Sequence, residues 1–170
     1  MAIHMKIEQI SRTVHSVKLD KYPQRMLFIS DVHYDSVKCD RVMLRRHLDE
    51  AKRTNTPVFI FGDWFDLMGG KYDPRSSYSD IRPEYKSITY LDDVIEDSAE
   101  FLMKYKDVIK FFARGNHETN IEKRMHTSPL DRVAYIGKKN GGNIVVAGYS
   151  GWLWMQIFQK GKRRSSTFVH

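Results

Sequence analysis

Three short stretches carry side chains able to hold a hard or borderline divalent cation: Asp31-Val32-His33, Gly62-Asp63-Trp64-Phe65-Asp66 and Gly115-Asn116-His117-Glu118. Carboxylate, imidazole and amide oxygen are the donors such cations take. Each stretch directly follows an apolar run: Met26-Leu27-Phe28-Ile29-Ser30, Val58-Phe59-Ile60-Phe61 and Val108-Ile109-Lys110-Phe111-Phe112. Such runs read as buried strands. The motifs therefore fall at the carboxyl ends of strands, where open α/β sheets place ligand sites. Each residue alone has a plainer reading: Asp31 as a turn cap, His33 as a surface histidine, Asp63 as a turn residue, Asn116 as a backbone choice. As a set, those readings need several coincidences at equivalent strand ends.

The elements that must position these residues alternate along the chain. A first strand covers residues 13–19. Asp40 caps a helix running to Lys52, with Leu44, Leu48 and Ala51 on one face. Pro57 opens the strand that ends at the second motif. A polar insertion rich in Gly, Pro, Ser and charge follows over residues 69–86. Ile88, Leu91, Ile95, Ala99 and Leu102 then recur at helical spacing. Ser128-Pro129 reads as an N-cap with proline at the first helical position, opening a helix to Lys139 that Gly141-Gly142 ends. Residues 143–148, 152–158 and 166–169 read as strands. The basic run Lys160-Gly161-Lys162-Arg163-Arg164 between the last two reads as a hairpin tip, and as a possible nucleic-acid contact. The order β-α-β-α-β followed by further strands predicts an α/β sandwich.

The three motifs, in order, resemble those of the calcineurin-like metallophosphoesterases: D-x-H, then G-D-x-x-D, then G-N-H-D or G-N-H-E, followed by two later histidine motifs. The segment over residues 68–84, with Gly70-Lys71-Tyr72-Asp73-Pro74-Arg75 and Ile81-Arg82-Pro83-Glu84, also resembles a poorly characterised group of that family common in phages. The resemblance implies a four-layer α/β/β/α sandwich and hydrolysis of a phosphomonoester or phosphodiester. It implies two divalent ions about 3.5–4 Å apart, Mn²⁺ first, with Fe, Zn or Ni as the other choices. By the same resemblance Asp31 and His33 bind the first metal, Asp63 bridges both and Asn116 binds the second. A bridging water or hydroxide is the nucleophile, and His117 protonates the leaving oxygen. Asp66 and Glu118 stand behind the ligands and orient them. Arg114, Arg75 and Arg82 are candidates to clamp the phosphate. Trp64-Phe65 reads as packing, and His4, His15, His47 and His126 as structural or exposed.

The family's fourth motif places a histidine after a strand, and His170 follows Ser165-Ser166-Thr167-Phe168-Val169. It is the expected further ligand of the second metal. The fifth motif, G-H-x-H, is absent from the 170 residues. The expectation is thus one domain over 1–170, truncated at its carboxyl end, with an incomplete second sheet and little activity until extended.

Composition bounds the partners. The net charge is +7 and the sequence pI about 9.4, a balance that attracts polyanions and can steer phosphates. The reading is a phosphate-ester substrate, tilted towards nucleic acid or nucleotide. No stretch approaches the roughly 18 apolar residues that span a bilayer, and residues 1–10 hold no apolar signal core, so no membrane partner is expected. Cys39 is the one cysteine, so no intrachain disulfide forms; this suits a reducing cytoplasm, bacterial or of a phage-infected host. Two other classes stay open: a non-catalytic module with a residual metal site that holds nucleic acid or a partner, and an inert fragment that self-associates through an exposed sheet edge. The oligomeric state is left open.

Overall fold

The structure is a computed structural model that describes residues 5–19, 25–67, 77–159 and 162–169. The elements run β1 (Met5–Ser11), β2 (Val14–Leu19), β3 (Leu27–Ile29), α1 (Arg41–Arg53), β4 (Val58–Phe61), α2 (Tyr90–Met103), β5 (Ile109–Ala113), α3 (Asn116–Met125), α4 (Pro129–Lys139), β6 (Val145–Ala147), β7 (Trp152–Gln159) and β8 (Lys162–Val169).

Strands β3-β4-β5-β6 form a wholly parallel sheet in chain order. Right-handed crossovers between sequential parallel strands put every connecting helix on the same face. There Leu44 and Leu48 of α1, Val94, Ile95 and Leu102 of α2, and Leu130 and Val133 of α4 share one core with Val58, Ile60, Ile109 and Phe112. The other face of the sheet needs an apolar cover too, and a second sheet supplies it. Strands β1-β2-β7-β8 pair antiparallel, parallel and antiparallel. Val17, Leu19, Leu153 and Met155 from this sheet meet Phe59, Phe111, Ala113 and Ala147 from the first. The described residues thus supply helices over a parallel sheet over a mixed sheet, the sandwich the sequence predicts. No helix among them is long and apolar enough to cross a membrane.

Local chemistry explains the boundaries. Asp40 accepts the Met43 N–H at 2.8 Å and caps α1. Ser128 accepts the Asp131 N–H at 3.3 Å ahead of Pro129 and caps α4. Ile88 matches the apolar spacing of α2 but lies before the helix, fully exposed. The Ser87 and Thr89 hydroxyls both bond Asp93 and hold the chain in a local turn there. Strand β1 is not evident from the sequence, because Lys6, Glu8 and Gln9 interrupt its apolar pattern; in the sheet Glu8 bonds Lys18 across the pair at 2.9 Å. Strand β8 begins at Lys162, so Lys162-Arg163-Arg164 belongs to the strand, its pairing with β7 reaching Gln159 opposite Lys162. Residues 160 and 161, the expected tip, lie outside the described residues.

His15 is buried between the sheets, edge-on to Phe111, with its Nδ1 unpaired. Burial lowers its pKa. The unfolded chain therefore binds the proton more tightly, and stability falls as pH drops below about 6.5, the ordinary value. His15→Leu removes both the proton and the orphaned nitrogen. It should gain on the order of 1 kcal/mol at neutral pH and flatten the acid side of the stability profile. Urea unfolding of both chains at pH 7 and 5.5 checks this; parallel curves at the two pH values would discount His15.

Candidate metal centre

The site is built by laying three strand-end turns against one another. Asp31 N–H donates to Gly62 O at 3.3 Å, His33 N–H to Asp63 O at 3.0 Å and Tyr34 N–H to Trp64 O at 2.7 Å. The first motif thus runs along the second. The third joins through the Asp63 carboxylate, whose Oδ1 accepts the His117 N–H at the start of α3, 3.1 Å away. Asp31, His33, Asp63 and Leu67 all adopt positive φ, between 48° and 53°. Left-handed backbone costs a non-glycine residue roughly 1–2 kcal/mol, so the surroundings must over-determine it.

Two buried carboxylates do that. Glu118, fully buried, accepts N–H groups of Gly115 (2.8 Å), Phe65 (2.9 Å) and Asp63 (3.2 Å). Burial raises its pKa, the N–H groups of Phe65 and Gly115 opposing it and the Asp63 charge adding to it. Asp35, 1% exposed, accepts the N–H groups of Asp66 (2.6 Å) and Leu67 (3.0 Å) and the Tyr90 hydroxyl (2.5 Å). Behind the turn Trp64 and Phe65 are fully buried; Trp64 stacks on Tyr34 and donates to Ser98 Oγ at 2.7 Å.

One residue orients both imidazoles. Asp66 Oδ1 lies 2.8 Å from His33 Nδ1, and Asp66 O lies 2.5 Å from His117 Nδ1. A carbonyl oxygen only accepts, so His117 Nδ1 carries the proton and Nε2 is left for a ligand or a second proton. The Asp66 carboxylate also raises the pKa of His33, burial opposing it and the charges of Asp63 and Asp31 adding to it. The two rings stand perpendicular, centroids 4.7 Å apart. Ligand atoms of His33, Asp63 and His117 all lie within 4.8 Å of one another. Two imidazoles tied back at Nδ1 and one carboxylate suit a borderline divalent cation, and this is how metal-binding histidines are held.

The remaining sequence candidates are distributed around that cluster. Asp31 is exposed and close enough to act on His33 by its charge, but outside the three-residue group. Asn116, exposed, is the first residue of α3. His170 and Arg75 lie outside the described residues. Arg114 is committed to the fold: Nε donates to Glu122 at 2.6 Å, Nη1 to Ala147 O at 2.7 Å, and Nη2 to Ser128 and Asp131. Those bonds brace β5, α3, α4 and β6 against one another. Arg82 Nη2 donates to Cys39 O at 2.8 Å and sits beside Glu84. The described part of the insertion, residues 77–86, packs on the chain just after the first motif: Ser36 bridges Ile81, and Val37 N–H donates to Asp80 O at 2.8 Å. Asp35 is the residue that sequence reasoning passes over. Its signal is a third acidic or basic side chain in Asp31-Val32-His33-Tyr34-Asp35, beside the aromatic that fills the core.

No curated protein and no solved structure matches the chain. The family model for the calcineurin-like phosphoesterases matches residues 24–167, a span that takes in all three motifs, the parallel sheet and the centre built at its edge. The chain therefore belongs to the calcineurin-like phosphoesterase family.

Proposed function

We propose that the chain hydrolyses a phosphate ester, mono- or di-, with two divalent ions, Mn²⁺ first among them. The observation that carries this reading is the Asp66 arrangement, which ties two imidazoles at Nδ1 in one cluster with the Asp63 carboxylate, ligand atoms of the three residues lying within 4.8 Å of one another. Asp31, His33 and Asp63 would hold one ion, and Asp63 with Asn116 the other. Bound ions of this kind neutralise phosphate charge and lower the pKa of water. His117 supplies the proton the leaving oxygen needs: Asp66 O fixes its ring by Nδ1, and Nε2 is the atom left to move a proton. A groove lined by Phe28, Ile29, Asp31, Lys38, Met43 and His47 adjoins the site and gives the organic part of the ester a place. The net charge of +7 supports an anionic substrate such as a nucleotide or nucleic acid, and the lone Cys39 suits a reducing cytoplasm.

The test is Mn²⁺ calorimetry together with chelator-sensitive hydrolysis of an aryl phosphate. Lack of any Mn²⁺ binding overturns the reading. For His117→Ala the expected result is a drop in kcat of about 10²–10⁴ with metal content retained. Loss of metal from that variant would make His117 a ligand.

A further inference from the structure

We propose that Asp35 is the positioning residue of this centre: it holds Asp66, and Asp66 holds both imidazoles. The inference rests on the metal reading above only for its consequence, not for its geometry. Among the described residues the Asp35 side chain bonds Asp66, Leu67 and Tyr90, and none of the three clustered side chains.

His33 hangs on the Asp66 carboxylate and His117 on the Asp66 carbonyl. Both oxygens move if the Asp66 peptide turns. Asp35 grips the Asp66 N–H and the next one, Leu67, with its two carboxylate oxygens. Leu67 is held at φ 53°, so the segment has a lower-energy conformation to relax into once released. Asp35 is itself fixed from outside the motifs. Its own carbonyl accepts the Arg82 N–H at 3.2 Å, its neighbour Ser36 bridges Ile81, and Tyr90 reaches it from α2. A continuous line therefore runs from the polar insertion through Asp35 and Asp66 to both imidazoles. The described part of the insertion, residues 77–86, meets the centre from behind, through backbone bonds to Asp35 and its neighbours. Outer partners of metal-binding histidines typically change affinity 10–100-fold when removed; Asp35 stands one bond further out, at the low end of that range.

The experiment reads the imidazoles directly. In the metal-free chain, long-range ¹H–¹⁵N spectra at a pH where the rings are neutral should show His33 and His117 as Nδ1–H tautomers. In Asp35→Asn the side-chain amide sets an NH₂ against one of two N–H donors, so at most one bond survives. Both rings should then become tautomer mixtures, and Mn²⁺ affinity should fall about tenfold. Asp49→Ala, which removes the acceptor of the Tyr105 hydroxyl on the helix layer, is the destabilised control and should leave both ring signals in place. If Asp35→Asn fails to fold, Tyr90→Phe removes one donor and should shift the same signals by less. Unchanged tautomers in a folded Asp35→Asn, or in Tyr90→Phe where only that chain folds, overturn the proposal. Absence of Mn²⁺ binding by the wild-type chain overturns the metal reading instead, and leaves the tautomer result standing as the test of Asp35.

Discussion

Asp63→Asn should lose divalent-metal binding by more than about 100-fold, beyond the range seen for residues that only orient ligands. Asp63 is the one carboxylate in the cluster with His33 and His117. It also has a backbone duty: φ is 48°, and its Oδ1 accepts the His117 N–H at 3.1 Å. The choice of variant separates the two. Asparagine tolerates left-handed backbone and keeps an acceptor oxygen, so the turn survives while the charge is gone. Asp63→Ala loses the acceptor as well and leaves a residue poorly suited to positive φ, which adds roughly 1–2 kcal/mol of destabilisation. Calorimetry with Mn²⁺ and urea unfolding of both variants read the two effects independently. Mn²⁺ binding by Asp63→Asn at wild-type affinity would remove Asp63 from the ligand set.

Much of this arrangement is legible in the sequence because strand ends are legible. Apolar runs mark β3, β4 and β5, and a parallel sheet leaves their carboxyl ends on one edge. Asp31-His33, Asp63-Asp66 and Asn116-Glu118 must therefore come together. Side-chain partners are harder to read. Glu118 sits in the third motif and is expected to orient ligands; in space it bonds backbone N–H groups of the second motif, 53 and 55 positions away in the chain. Nothing local distinguishes it from a surface acid on a helix. Arg114 precedes the third motif and looks available to phosphate, yet Glu122, Asp131 and the Ala147 carbonyl surround it once α3 and α4 fold back. Strand β1 escapes detection for a different reason. An edge strand needs only one apolar face, and Lys6 and Glu8 on the other break the run that marks a buried strand.

Gly115→Ala should do as much damage as removing a ligand, although glycine contributes no donor atom. Its backbone, φ −100° and ψ −174°, is open to any residue. The requirement is space alone. A Cβ there would lie 2.0 Å from Asp63 Oδ1 and 2.2 Å from Asp63 N. Neither atom is the free end of a flexible chain. The nitrogen donates to Glu118, the Asp63 carbonyl accepts from His33, and Oδ1 accepts from His117. Alanine therefore has to push the second motif off the start of α3, and all three bonds go with it. Overpacking of this kind costs about 3 kcal/mol, a fall in Tm of roughly 6–12 °C for a chain of this size. Mn²⁺ affinity should fall with it, by about 100-fold or more, because the Asp63 carboxylate is carried away from the imidazoles. Gly148 is the internal control: a Cβ there meets nothing within 4 Å, so Gly148→Ala should leave both quantities near wild type. Thermal unfolding and Mn²⁺ calorimetry on the two variants decide the matter. A Gly115→Ala chain that melts and binds like wild type would mean that the turns of the second and third motifs are not packed as tightly as this geometry requires.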